Sequence, residues 1–251
     1  MNILITGGSS DIAQAIAKRR LQLGDTIIIT SSSKESLNQT LEHYKQQEMQ
    51  VRGLVYNFSN PQASEEELQN LLQEPLDGII LNAFTRVSQL RKLHALSYPA
   101  LRAYIDDNLH GNIWLIHHLL PALLANKFGR LILISSLSAI TGTSRYGAYC
   151  ATKAALEGLF LNLAVDYSAN NILSNVVRVG LIKTSRTEQF WKRPAYQEKM
   201  AQIIPQGMMG ETAQIAEALD PLLSRTSFMT GSVITVSGGL PLMRSEGILS
   251  S

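Results

Sequence analysis

Residues 2–6, 26–30, 51–56, 78–82 and 131–135 are nearly continuous runs of aliphatic and β-branched side chains, rather than apolar residues alternating with polar ones. An alternating strand has one wet face, whereas a nearly unbroken apolar strand needs cover on both faces. Two further strand candidates lie at 172–178 and 232–236, and helical patterns fall between the strands near 11–23, 34–48, 64–73, 99–126, 147–170 and 211–224. Repeated β-α-β alternation demands parallel strands, because only a crossover helix returns the chain to the same edge. The expected architecture is one α/β domain over residues 1–251, a doubly wound parallel sheet of seven strands with helices on both faces.

Composition narrows the class. A chain of 251 residues lies near the upper end of what folds around one core. Its 22 basic and 20 acidic residues leave a formal charge of +2 with no basic run, which argues against a nucleic-acid partner or a membrane surface. The single cysteine, Cys150, excludes an internal disulfide and a cysteine-based metal site. The histidines show no ligand spacing, and His117 and His118 diverge on their helix, so no metal is expected. No apolar run reaches the ~18 residues a membrane span needs. The expectation is a soluble cytoplasmic protein. Charged residues are 17% of the chain, below the usual ~25%, which fits surface hidden in subunit contacts.

Three local patterns carry chemistry. The first strand runs into Thr6-Gly7-Gly8-Ser9-Ser10-Asp11-Ile12-Ala13 and then a helix, a turn whose free N–H groups and helix dipole suit a pyrophosphate. The second strand ends in Ser31-Ser32-Ser33-Lys34 with no acid before Glu35. A site for the ribose diol of NAD usually supplies an Asp or Glu here, so hydroxyls and Lys34 favour the 2′-phosphate of NADP over NAD. Finally, Tyr149-Cys-Ala-Thr-Lys153 puts a phenol and an ammonium four residues apart on one helical face, where a positive charge lowers a tyrosine's pKa and fits it for proton exchange. Ser136 precedes this pair by thirteen residues, at the carboxyl edge of a buried-looking strand.

Together these residues resemble the short-chain dehydrogenase/reductase family, which has a Rossmann fold. The resemblance runs from residue 2 to about 242: a Thr-Gly-x3-Gly-x-Gly turn with Asp11 and Ala13 in place of the second and third glycines, then Asn108, Ser136 and Tyr149-x3-Lys153 in order. It implies hydride transfer between a nicotinamide and a ketone, 3-oxoacyl thioester or secondary alcohol, with NADP as cofactor. Tyr149 would be the acid or base. Ser136 would hold the substrate oxygen, Lys153 would lower the Tyr149 pKa and hold the nicotinamide ribose, and Asn108 would anchor a relay water. Ser138 and Tyr146 are candidate substrate contacts.

The resemblance also assigns Gly7, Ser9, Ser10, Asp11 and Ile12 to the pyrophosphate turn, Ser31, Ser32 and Ser33 to the adenosine ribose, and Asn57, in place of an Asp, and Phe58 to the adenine. Asn82 and Ala83 form the turn after the fourth strand, where Phe84 stands in place of a glycine. Gly180, Ile182 and Thr184 would meet the carboxamide, with Val179 replacing a proline, and Ser237 replaces an acid in Val-Asp-Gly-Gly. Asp11 is expected to cap the first helix and point away from the phosphates. Residues 185–210 are a candidate substrate lid, the alternative being a helical subunit contact. The expected assembly is a homodimer or homotetramer. From another class, the altered Asp11, Phe84, Val179 and Ser237 keep open a non-catalytic dinucleotide sensor or scaffold on the same fold.

Overall fold

The computed structural model describes residues 1–87 and 89–242. The chain runs β1 (Asn2–Ile5), α1 (Asp11–Gln22), β2 (Thr26–Ser31), α2 (Lys34–Gln46), β3 (Arg52–Val55), α3 (Glu65–Leu71) and β4 (Gly78–Leu81). It continues with α4 (Tyr98–Ile105), α5 (Gly111–Asn126), β5 (Gly129–Ser136), α6 (Ser138–Thr141), α7 (Gly147–Tyr167) and β6 (Ile172–Val179). Four helices, α8 (Glu188–Trp191), α9 (Pro194–Ile203), α10 (Thr212–Ala218) and α11 (Asp220–Leu223), then lead to β7 (Val233–Val236). All seven strands are parallel, in the order β3-β2-β1-β4-β5-β6-β7. Connections wind outward from β1 in one direction and from β4 in the other, so a crevice opens where the winding reverses, the place such sheets bind ligands.

The unbroken apolar strands do face two cores. Ile3 and Ile5 of β1 and Ile132 and Ile134 of β5 pack with α1, α2, α10 and α11. Leu4, Leu131 and Leu133, from the alternate positions of the same strands, pack with α3, α5 and α7 on the other side. A strand's side chains point to opposite faces in turn, so a two-sided sheet needs apolar residues at every position.

Three helical expectations need correction. Residues 99–126 do not form one α-helix: α4 and α5 are joined by a π turn, Asp106–His110. The side chain of Asn108 donates to the Tyr104 carbonyl (2.9 Å), intruding on the α-helical ladder there. Residues 64–73 begin as a 3₁₀ turn, Pro61–Ser64, because Pro61 presets the first turn. Residues 211–224 divide into α10 and α11, with Pro221 at the start of α11. Strand ends agree with expectation within a residue or two.

Candidate active site

The turn between β1 and α1 is built for close packing. Gly7 sits at φ +69°, and a Cβ there would lie 2.9 Å from that of Ala83. Thr6 Oγ1 accepts from the backbone N–H groups of Asn82 and Ala83, both at 2.9 Å. Asn82 Nδ2 donates to the Thr6 carbonyl (3.0 Å) and to Ser10 Oγ (2.8 Å). Asn82 and Ala83 therefore lock the end of β4 to the turn, and Ser10 is fixed as the N-cap of α1, accepting from Ala13 N–H at 3.1 Å. The N–H groups of Asp11 and Ile12 have no acceptor among the described residues, and they lie at the positive end of α1.

Asp11 does not cap the helix. Ser10 already takes that role, and the Asp11 carboxylate instead accepts from Ser185 N–H (2.9 Å) and Ser185 Oγ (2.8 Å), at the start of the candidate lid. Two of the three serines after β2 are also structural. Ser31 is buried and donates to Ser36 Oγ, and Ser33 caps α2 by accepting from Ser36 N–H. Ser32 and Lys34 are exposed and carry no side-chain partner among the described residues. Asn57 is partly spent as well, since its Oδ1 accepts from Ser59 N–H, while Phe58 packs edge-on against Tyr56.

Beyond β6, Gly180 lies against Ser237, where a Cβ would come within 2.7 Å. The buried Ile182 bridges to Gly210, closing the base of the 185–210 segment. Thr184 is the cap of a 3₁₀ turn, Ser185–Thr187; its hydroxyl meets that of Thr187 (3.1 Å), and its carbonyl accepts from Trp191 Nε1 (2.9 Å). The segment is helical, with Phe190 and Tyr196 in an edge-on contact.

The crevice between β4 and β5 gathers the second set of residues. Ser136 ends β5, and its Oγ accepts from Ser138 N–H (3.1 Å), which leaves its own proton free to donate. Ser136 lies near enough to the Tyr149 hydroxyl to favour its ionised form. Tyr146 packs edge-on against Tyr149 with ring centroids 6.0 Å apart. Ser138 meets Thr143 Oγ1 at 2.6 Å. Asn108 is buried and holds the loop after β4, accepting from Thr85 N–H (2.7 Å) and donating to Thr85 Oγ1 (2.6 Å). Its carbonyl accepts from the side chain of Asn112 (2.7 Å).

Lys153 departs from expectation. It is buried, donates to the Ile134 carbonyl (2.6 Å), and lies 3.3 Å from the centroid of the Phe84 ring. Burial pushes its pKa well down, opposed by Glu157 one turn further along α7 and reinforced by Arg186. The Tyr149 phenol is therefore not depressed by Lys153. Burial raises its pKa, and Ser136 and Arg186 only partly oppose that rise.

Four residues beside the site had not been singled out. Glu157 continues the Tyr149, Lys153 face at the same four-residue spacing. Its carboxylate accepts from Ser135 Oγ (2.6 Å) and from Arg178 through Nε (3.0 Å) and Nη2 (2.6 Å). That spacing was visible in the sequence; the partners Ser135 and Arg178, on two neighbouring strands, were not. The fourth, Arg186, is an exposed residue of the 3₁₀ turn Ser185–Thr187 whose charge reaches Tyr104, Tyr149 and Lys153.

A doubly wound sheet with a phosphate-type turn at its switch point and a Ser–Tyr pair beside a lysine at its carboxyl edge defines a dinucleotide-dependent oxidoreductase. A family model described as enoyl-(acyl carrier protein) reductase matches residues 7–241. The chain belongs to the short-chain dehydrogenase/reductase family. It is 32% identical over 241 residues to the 3-oxoacyl-(acyl-carrier-protein) reductase FabG of Rickettsia conorii, covering 94% of this chain and 95% of that one. It is 29% identical over 245 residues to a tropinone reductase homolog of Arabidopsis thaliana, covering 96% and 92%. The crystal structure of a 3-oxoacyl reductase from Agrobacterium tumefaciens C58 with NADP bound superposes with a TM-score of 0.84 at 26% identity, over 95% of this chain and 93% of that one.

Proposed function

We propose that this oxidoreductase is an NADP(H)-dependent ketoreductase acting on a ketone or a 3-oxoacyl thioester. The observation that carries this reading is the placing of Ser136, at the end of β5, beside the Tyr149 hydroxyl at the carboxyl edge of the sheet. The residues at the switch point fit a dinucleotide. Unsatisfied N–H groups at Asp11 and Ile12 suit a pyrophosphate, and exposed Ser32 and Lys34, with no acid before Glu35, suit a 2′-phosphate. Lys153 would hold the nicotinamide ribose, and backbone at Ile182 the carboxamide. The bound cofactor supplies the hydride.

The protein supplies the proton and the alignment. Ser136, its oxygen fixed by Ser138 N–H, donates to the substrate carbonyl oxygen. Burial favours the neutral phenol of Tyr149, which can give its proton to the oxygen as negative charge develops there. The protonated form is the acid for carbonyl reduction; alcohol oxidation needs the ionised form. Phe190, Trp191 and Tyr196 on the 185–210 segment give the substrate an apolar wall.

Assembly as a homodimer or homotetramer through α5 and α7 fits the exposed apolar residues Ile113, Leu161 and Val165 on those helices, the last 79% exposed. Among the described residues no helix is long and apolar enough to cross a membrane, and no three His, Cys, Asp or Glu residues are grouped to hold a metal.

The test is an NADPH oxidation assay over a panel of ketones and 3-oxoacyl thioesters, repeated with NADH and with Tyr149→Phe. Turnover with a higher kcat/KM for NADPH is expected. Tyr149→Phe should retain about 1% of it or less, since a positioned acid contributes 10²- to 10⁴-fold. A preference for NADH would overturn the cofactor assignment, and an active Tyr149→Phe enzyme would overturn the mechanism.

A further inference from the structure

The Phe84 ring fills the space between the two reactive residues of α7. The loop that carries it is fixed at both ends. Asn82 and Ala83 are tied to Thr6, and Thr85 is tied through its N–H and Oγ1 to the buried Asn108. The ring meets Tyr149 edge-on, centroids 6.1 Å apart, and its face lies 3.3 Å from Lys153 Nζ. A lysine nitrogen has up to three donors; among the described residues the one hydrogen-bond acceptor for Lys153 is the Ile134 carbonyl. The side of Nζ turned to the crevice is covered by carbon.

We propose that Phe84 is a ring gate on the dinucleotide site: its phenyl group and the nicotinamide ribose compete for the open side of Lys153 Nζ, so Phe84 sets the affinity for the dinucleotide. This role presupposes the reductase reading above, which is what sends the ribose to Lys153. Ribose hydroxyls can hydrogen-bond Nζ only where the ring has turned aside. Turning it aside forfeits its contact with the lysine and exposes part of a half-buried aromatic surface. The ring is held over Nζ by position as well as by charge, so the competition does not depend on whether Lys153 carries its proton.

The experiment is direct titration of the purified protein with NADPH, followed by quenching of Trp114 and Trp191 fluorescence, for wild type, Phe84→Ala, Phe84→Leu and each change combined with Lys153→Met. Thermal melts confirm that every variant is folded. Phe84→Ala is expected to bind NADPH roughly tenfold more tightly than wild type, about 1.4 kcal/mol. Phe84→Leu, which keeps bulk but loses the flat ring face, is expected to fall between them. In the Lys153→Met background Phe84→Ala should change the affinity less than twofold, because the contested group is gone. Equal or weaker binding by Phe84→Ala and Phe84→Leu, with wild type still binding, overturns the gate and leaves the reductase reading standing. The gate is equally overturned if the gain persists in full without the lysine amine. Failure of wild type and all variants to bind either NADPH or NADH overturns both.

Discussion

The two rims of the crevice treat the family pattern differently. On the rim proposed as catalytic, β5 and α7 keep Ser136, Tyr149 and Lys153. On the proposed dinucleotide rim, the carboxyl ends of β1, β3, β4 and β6 and the segments that follow them carry Asp11, Ala13, Asn57, Phe84 and Val179 in place of the pattern's residues. Where the structure gives the altered side chain a polar or ring partner, that partner belongs to the chain itself: Asp11 takes Ser185, Asn57 takes Ser59 and Phe84 covers Lys153. Ala13 and Val179 are simply buried in the core. An altered residue on this rim has become part of the fold's own bonding, whereas the Ser136 and Tyr149 hydroxyls stand near each other and, among the described residues, hydrogen-bond no other side chain.

The comparison can be broken most forcefully at the catalytic rim. Loss of the Tyr149 hydroxyl should cost two to four orders of magnitude in turnover and little stability, and an equally large loss from Asp11→Ala would erase the distinction between the rims. Next comes Glu157. It is a buried residue of α7, one turn beyond Lys153, and Glu157→Ala would leave Arg178 without its carboxylate. We expect a loss of about 3–5 kcal/mol in urea denaturation at pH 7. A loss below 1 kcal/mol would show that Arg178 is satisfied by water.

Alkaline pH sharpens the comparison. Burial raises the pKa of Tyr44, whose hydroxyl donates to the Gly8 carbonyl on the dinucleotide rim, and of Tyr104, beside Asn108 on the catalytic rim. Below pH 10 both are neutral, folded or unfolded. Above it the unfolded chain releases protons that the folded chain keeps, so stability falls as pH rises. Each tyrosine should cost about 1.4 kcal/mol at pH 11. Comparing denaturation at pH 9 and pH 11 for Tyr44→Phe and Tyr104→Phe measures each share; a pH dependence untouched by either change would refute it.

Much of this was legible in the sequence, for reasons that can be named. Residues 2–6 and 131–135 announce a two-faced sheet because a buried parallel strand has no position at which a polar side chain is favoured. Tyr149 and Lys153 announce a shared face because their spacing matches the helical repeat. What stayed hidden depends on partners remote in sequence. The spacing placed Lys153 beside Tyr149, but only the fold shows that its amine turns toward β5 and the Phe84 ring, and so does not lower the Tyr149 pKa. The Ser31-Ser32-Ser33 run looked like three donors, yet two of them serve α2. Asp11 looked like a helix cap, because its partner Ser185 lies 174 residues away.

That last contact yields the smallest expected effect. Asp11→Ala removes an exposed acceptor of two hydrogen bonds, about 1 kcal/mol of local stability. Amide exchange at residues 185–191 should quicken by roughly fivefold while the global melting temperature stays within a degree or two. Unchanged exchange would mean that Thr187 and Trp191 hold the segment unaided. In the same spirit, a large gain in NADPH affinity for Asp11→Gly would show that the carboxylate opposes the cofactor.

The π turn at Asp106–His110 ties the length of the chain to the placing of one side chain. Such a turn accommodates one more residue than an α-helical turn, so the faces of α4 and α5 keep their places on either side of it. Deleting a single residue from it would let α4 run straight into α5 and leave Leu115, Leu119 and Leu123 against the sheet, while Asn108 would lose its place opposite Thr85. A chain one residue shorter here should therefore keep its packing and lose the hold of Asn108 on the loop after β4.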